Sequence, residues 1–179
     1  MTTDSATPTA TAAATAAATA AATATVPTTI QGVAGLKALA GSPLGATAWE
    51  EMTFARILAF ADATGDHQWI HVDRARIEKE SPFGAPIAHG YLTLSLVAGR
   101  FFDLLDLQGF GMVINYGTNK VRFPNPLKEG QRFRLSIQLG DVTDVKGGWV
   151  EALFLATVEI EGEAKPAVSA ECVFRFLGA

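Results

Sequence analysis

The residues best suited to acid–base chemistry lie in one stretch, residues 63–96, which reads ATGDHQWIHVDRARIEKESPFGAPIAHGYLTLSL. It contains all three histidines of the chain, His67, His71 and His89, together with Asp66. A carboxylate beside an imidazole can hold a water molecule and move its protons, which is general acid–base catalysis. Asp66 and His71 are therefore the candidate catalytic pair. The structural alternative is that Asp66 caps a turn and His71 bonds only to the main chain.

Gly90 is the second candidate, because it lies in the first turn of a long apolar segment. The N–H groups of a first helical turn have no acceptor within the helix, and the helix dipole is positive there. A glycine at this point lets a ligand approach the main chain, so that a developing oxyanion would be stabilised. The alternative is that Gly90 only permits close packing. His89 is expected to orient the start of the helix, in a structural or supporting role.

His67 and His71 have the spacing of a zinc pair on a helix, but Gly65 precedes them and the sequence places no third ligand at a usable spacing. We therefore predict that the protein binds no metal.

The elements around these residues follow from periodicity. Thr53 is the predicted N-cap of an amphipathic helix over residues 54–63, which Gly65 ends. Residues 66–86 are predicted to be irregular, with a short helix over 73–79. Residues 89–105 are apolar on nearly every side, which predicts a buried helix. A short helical pattern, Val33-Leu36-Leu39, precedes them.

The remaining pattern is that of β-strands. Apolar and polar residues alternate over 131–139, 150–160 and 168–176, and less regularly over 111–123; residues 48–53 form a further short candidate strand. Turns are expected at Gly140–Asp141, residues 146–148 and residues 161–163. A meander with one apolar face needs a cover, and the 89–105 helix is the element long enough to supply it. We predict an α+β hot-dog fold, in which a curved antiparallel sheet wraps around one long buried helix.

Two motifs, GDHQWIHVD and GAPIAHGYLTLSL, resemble those of the MaoC-like dehydratase family, which includes the R-specific enoyl-CoA hydratases. The resemblance extends from about residue 46 to the C-terminus and includes VRFPNPLKEGQRF. It implies a homodimer that reversibly hydrates trans-2-enoyl thioesters to (R)-3-hydroxyacyl thioesters without a cofactor. It also implies that Asp66 and His71 activate the water and that the Gly90 N–H polarises the thioester carbonyl.

The chain departs from the family pattern at two positions. The family's asparagine, which supports the pair, falls on Gln68, and its proline falls on Trp69. The sequence GDHQWIH resembles that of the NodN-like branch of the family. A hot-dog thioesterase and a non-catalytic acyl-thioester binding or interaction module remain the alternatives. The substrate carrier is either CoA or an acyl carrier protein, and Lys120, Arg122 and Lys128 are the candidate contacts for CoA phosphates.

Composition limits the remaining possibilities. The 179 residues carry a net charge of −4, which argues against nucleic acid as a partner. Residues 1–28, rich in alanine and threonine, are predicted to be a disordered extension, with a single domain over residues 29–179. We find no membrane span and no basic signal sequence, and expect a cytoplasmic protein.

Overall fold

The structure, a computed structural model, describes residues 26–179. The predicted extension, residues 1–28, lies outside this range apart from residues 26–28, and Thr28 begins the first strand. The helices are α1 (Gly32–Ala38), α2 (Phe54–Thr64), α3 (Trp69–Val72), α4 (Arg74–Glu80) and α5 (Gly90–Leu104). The strands are β1 (Thr28–Gln31), β2 (Pro43–Ala46), β3 (Glu50–Glu51), β4 (Leu105–Gln108), β5 (Phe110–Arg122), β6 (Arg132–Asp144), β7 (Trp149–Ile160) and β8 (Val168–Gly178).

The main sheet is antiparallel and has the strand order β2-β6-β7-β8-β5, with β3 also paired to β6. The alternation that predicted β6, β7 and β8 is confirmed, since each strand turns one apolar row inward, such as Phe133, Leu135 and Ile137 of β6. The turn predicted at Gly140–Asp141 is wrong. These two residues lie inside β6, where the register with β7 shifts between Leu139 and Val142 as in a β-bulge.

Helix α5 packs against this apolar face, which confirms the α+β hot-dog arrangement. Phe101 of α5 stacks on Phe174 of β8, with 4.6 Å between ring centroids, and meets Phe154 of β7 edge-on at 4.8 Å. Aromatic pairs at such distances stabilise a core beyond the area they bury. The helix and the sheet thus share one hydrophobic core.

The expectation that α5 is buried on nearly every side is wrong for one face, where Tyr91, Ser95, Gly99, Phe102 and Asp103 are exposed. Tyr91 is 73% exposed and Phe102 is 59% exposed, although both are large and apolar or aromatic. The sheet of a single chain covers only one side of the helix, so the periodicity of α5 alone overstates its burial.

The shorter elements match the sequence in part. Thr53 caps α2 by accepting a hydrogen bond from the Arg56 N–H, and Gly65 ends it with a φ of 77°. The predicted 73–79 helix is α4, which Asp73 caps. The predicted strand over 48–53 is reduced to β3. The parallel pair β1 and β4 had no prediction, because four-residue strands carry too little alternation to be recognised.

Candidate active site

Asp66 lies in the turn that leaves α2, just after the left-handed Gly65. Its carboxylate oxygen Oδ1 accepts a hydrogen bond from the Gln68 N–H at 3.3 Å, and its own N–H lies 3.4 Å from the Thr64 hydroxyl oxygen. The side chain is exposed. The turn-capping contact that the structural alternative named is therefore present, and the other carboxylate oxygen is left to meet a ligand.

His71 lies on α3, a single helical turn in the segment predicted to be irregular. Its side chain is buried, and Nδ1 lies 2.6 Å from the Ile87 carbonyl oxygen. Because a carbonyl can only accept, Nδ1 carries the hydrogen and Nε2 of the neutral ring presents a lone pair. Burial lowers the pKa of His71 below the usual 6.5, with a further lowering from His89 and opposing contributions from the Ile87 hydrogen bond and Asp66. His71 is thus set up as a neutral base.

His89 stacks on His71, with 3.7 Å between ring centroids and 26° between the ring planes. Its Nε2 lies 2.9 Å from the main-chain oxygen of Asp66. One buried ring therefore contacts both the turn that carries Asp66 and the helix that carries His71.

The ligating atoms of Asp66, His71 and His89 all lie within 4.8 Å of one another. A water can bridge two polar atoms up to about 5.5 Å apart, since each hydrogen bond spans about 2.8 Å. Asp66 and His71 are close enough to share one water. The three groups also form a possible metal site, but ring-nitrogen lone pairs lie in the plane of the ring, so two stacked imidazoles converge poorly on one ion. The geometry favours acid–base chemistry over metal binding.

Gly90 is the first residue of α5 and so lies in the first helical turn, as predicted. The Phe123 ring covers it. A Cβ built on Gly90 would lie 3.2 Å from three carbons of that ring. Phe123 in turn meets Tyr91 edge-on, with 6.2 Å between centroids. The absence of a side chain at Gly90 therefore gives the ring its place, and Gly90 and Phe123 both line the same cavity.

A cavity of about 260 Å³ brings the two halves of the site together, because His71 and Gly90 both line it. Its walls are otherwise mostly apolar, and Thr93 and Asn125 add polar groups. The apolar walls are Phe83, Ile87, Ala88, Phe123, Pro126, Leu127 and Ala167. An apolar cavity with a few convergent polar groups is typical of a small-molecule site.

The predicted supporting and binding residues have different surroundings. The Gln68 side chain is exposed. The main-chain carbonyl of Gln68 accepts a hydrogen bond from the main-chain N–H of His71 at 2.9 Å. Lys120 is exposed and paired with Glu171 at 2.8 Å. Arg122 and Lys128 precede or follow cavity-lining residues, Phe123 and Leu127 respectively. Of the three cations, these two lie nearer the cavity along the chain.

His67 takes no part in the cluster of ligating atoms. Its ring is exposed, and Nε2 lies 2.9 Å from Oδ1 of Asp62. The exposed Asp62 carboxylate raises the pKa of His67 through this hydrogen bond. The rings of His67 and His71 bond to different partners, Asp62 and the Ile87 carbonyl.

Sequence reasoning missed the cavity walls. Phe123 is the first residue after β5 and precedes Pro124. Ile87 and Leu127 each follow a proline. An apolar residue beside a proline in a loop is a weak signal of a buried contact. Nothing in that signal indicates which cavity the residue lines.

The hot-dog fold, with His71 and the start of α5 at one apolar cavity and Asp66 near His71, can now be compared with known proteins. The chain belongs to the MaoC like domain family, whose profile matches residues 36–159. It is a hydratase or dehydratase enzyme of that family.

Two curated relatives and one solved structure illustrate the similarity. The chain is 46% identical over 149 residues to 3-hydroxyacyl-thioester dehydratase Z of Mycobacterium tuberculosis (strain H37Rv), covering 83% of this chain and 98% of that protein. It is 41% identical over 139 residues to Nodulation protein N of Rhizobium meliloti, covering 77% and 86%. The fold matches the R-hydratase PhaJ1 of Pseudomonas aeruginosa with a TM-score of 0.65 at 21% identity, covering 83% and 86%.

Proposed function

We propose that the protein reversibly hydrates trans-2-enoyl thioesters to (R)-3-hydroxyacyl thioesters. One observation carries the proposal: His71, with the Asp66 carboxylate close by, and the start of α5 at Gly90 are brought together at one apolar cavity. Hydration of an enoyl thioester requires a held water, a base and a stabilised enolate oxygen, and these groups supply all three. The name of the 46% identical mycobacterial relative gives the same class of substrate.

The proposed step balances within one water molecule. Asp66 and His71 hold the water, and Nε2 of His71 takes its proton as the oxygen bonds to C3. The electron pair of the C2–C3 double bond moves to the thioester oxygen, where the Gly90 N–H stabilises the enolate. The proton then returns from the pair to C2 on the same face. Dehydration follows the same path in reverse, and no cofactor takes part.

The test is to follow crotonyl-CoA by the loss of its enoyl absorbance while assaying free CoA. Loss of absorbance without CoA release supports hydration. Release of CoA would overturn the proposal in favour of a thioesterase, and binding without turnover would overturn it in favour of a binding module. A scan of enoyl-CoA chain lengths and an enoyl acyl carrier protein would then define the substrate.

The proposal extends to recognition of the CoA part of the substrate, for which Arg122 and Lys128 are the candidate residues. Both lie beside cavity-lining residues, and we propose that they meet the CoA phosphates, with Lys120 further along β5. Charge reversal at Arg122 or Lys128 should raise the Michaelis constant for crotonyl-CoA and leave that for a pantetheine thioester unchanged. If the Michaelis constants for both substrates stay at their wild-type values after charge reversal, these residues are not part of the binding site.

We also propose that the active form is a homodimer. Strand β5 is the last strand of the sheet, and its outer edge has no partner strand among residues 26–179. Exposed Met112, Ile114 and Tyr116 lie along it, and Tyr91 and Phe102 of α5 are exposed as well. An unpaired apolar edge is a site for another strand. A second copy of β5 would pair with it and cover both sets of residues.

A further inference from the structure

His89 is the residue through which three parts of the candidate site are connected. Its ring stacks on the ring of His71 at 3.7 Å, and its Nε2 lies 2.9 Å from the main-chain oxygen of Asp66. It is also the N-cap of α5, directly before Gly90. The Thr93 N–H and hydroxyl both bond to the His89 carbonyl, which fixes its main chain.

The direction of the His89 hydrogen bond follows from the acceptor. The Asp66 carbonyl can only accept, so Nε2 carries the hydrogen in this contact. The ring is 3% exposed, and Nδ1 has no hydrogen-bond partner among the described residues. A buried nitrogen without a partner destabilises the folded state. The ring is therefore held by its Nε2 hydrogen bond, its stacking on His71 and a tilted contact with Phe60 at 5.1 Å.

We propose that His89 is a positioning residue that holds Asp66 and His71 in register for one shared water. Its Nε2–H fixes the main chain of the Asp66 turn, and its ring face fixes the plane of the His71 ring. This inference rests on the proposed function. It gives His89, the histidine of the GAPIAHGYLTLSL motif, a role beside the Asp66–His71 pair as well as at the start of the helix.

The contact between His89 and His71 also has an electrostatic effect on the pKa of His71. Burial is the largest cause of the lowered pKa of His71, and two titratable groups add to it in opposite directions: His89 lowers the pKa and Asp66 raises it. Removing the imidazole of His89 while keeping the site buried should therefore raise the pKa of His71. A residue that only filled space would not produce this change.

Two substitutions separate the two contacts. His89→Phe keeps a flat ring against His71 and removes the N–H donor, whereas His89→Gln keeps an N–H donor within reach of Asp66 and removes the ring. We expect His89→Phe to lower kcat for enoyl-CoA hydration by on the order of 10- to 100-fold with little change in KM, since small misplacements of catalytic groups have effects of this size. His89→Gln should recover part of that loss.

The matched control is His67→Gln, because His67 is exposed and bonds to Asp62 only a few residues away. Its kcat should equal that of the wild type. The chain has three histidines, so NMR can follow the titration of each ring, and the midpoint of His71 should rise in His89→Phe.

Wild-type kcat in His89→Phe would overturn the proposal, as would a His89→Gln variant no more active than His89→Phe. An unmoved His71 midpoint would also count against it. If the wild type hydrates no enoyl thioester while the midpoint still rises, the proposed function fails and the contact between the two histidines stands.

Discussion

A single main-chain oxygen, that of Ile87, decides which nitrogen of His71 can act as a base. It accepts from Nδ1 at 2.6 Å and so leaves Nε2 with the lone pair. Burial lowers the pKa of the same ring, so the ring is neutral at physiological pH. Asp66, in contrast, is exposed and bonds to the main chain of its own turn. The proposed pair thus combines a buried imidazole with an accessible carboxylate.

Substitution of either member of the pair should remove most activity. Asp66→Asn and His71→Gln should each lower kcat for crotonyl-CoA hydration by about 10²–10⁴-fold, the usual contribution of a general acid or base. Enzyme assays and thermal unfolding on the same preparations separate lost chemistry from lost folding. Asp62→Asn is the control, because Asp62 is an exposed acid at the end of α2 that contacts His67. Near-normal turnover in Asp66→Asn or His71→Gln would contradict the mechanism.

The pH dependence of hydration follows from the same ring. The base form of His71 is the neutral one, and its pKa lies below 6.5, so kcat/KM should stay high at neutral pH and fall on acidification. The midpoint of that fall should lie below pH 6.5. A pH profile measured in buffers of constant ionic strength tests this, and a midpoint above 6.5 would contradict it.

At the level of elements, contacts of the short helix α4 with α2 and α3 hold the segment that carries Asp66 and His71. The Arg76 guanidinium of α4 lies 4.4 Å from the ring of Trp69, which begins α3, and Arg74 lies 3.9 Å from the Phe54 ring of α2. Cation–π contacts of this kind stabilise by about 0.5–1 kcal/mol at exposed sites. Trp69, where the family has a rigid proline, thus has a packing partner of its own that helps to hold α3.

The N-terminus of α5 gives the next prediction. Gly90→Ala places a methyl group 3.2 Å from the Phe123 ring, so the ring must shift at the point where the thioester carbonyl would bind. We expect kcat/KM to fall by about tenfold or more, a loss of transition-state stabilisation of roughly 1.4 kcal/mol. Steady-state kinetics with crotonyl-CoA measure it.

Gly35→Ala on α1 is the matched control, since its Cβ would meet only ordinary contacts at 3.8 Å. Replacing a mid-helix glycine by alanine should stabilise the protein by about 0.5–1 kcal/mol and leave turnover unchanged. Equal activity of Gly90→Ala and wild type would show that the space above Gly90 is not used.

At the scale of the whole molecule, the exposed apolar residues of α5 and β5 are the observation that supports the proposed homodimer. Large apolar patches on a protein surface mark interaction sites. Here Tyr91 and Phe102 belong to the helix that forms the core, and Ile114 belongs to the strand at the edge of the sheet. None of the helices within residues 26–179 has the length and apolar character that a membrane-spanning helix needs.

Sedimentation tests the proposed homodimer. The wild type should sediment at about twice the chain mass of 18.8 kDa. Ile114→Lys should shift it towards the monomer, because a charge would be buried in the interface. Leu155→Lys is the control, since Leu155 of β7 has a similar exposure, 37% against 41%, on a strand whose two edges are already paired. A wild type that stays monomeric at micromolar concentration would contradict the proposal.

The sequence alone determined the parts of this protein that depend on local patterning. Alternation predicted β6 to β8, Thr53 and Gly65 predicted the ends of α2, and the two motifs pointed to Asp66, His71 and Gly90. Each of these signals lies within a few residues of the chain, where propensity and periodicity act.

How those residues meet depends on the folding of distant segments onto one another. The His71–Ile87 bond joins residues 16 apart, and the His89–Asp66 bond joins residues 23 apart. Phe123 covers Gly90 from the loop after β5, and Tyr91 is exposed although its helix is apolar on nearly every side. Such contacts depend on where the chain returns in space, which no local pattern encodes. For that reason His89 looked like a helix-start residue in the sequence and is, in the structure, in contact with both members of the pair.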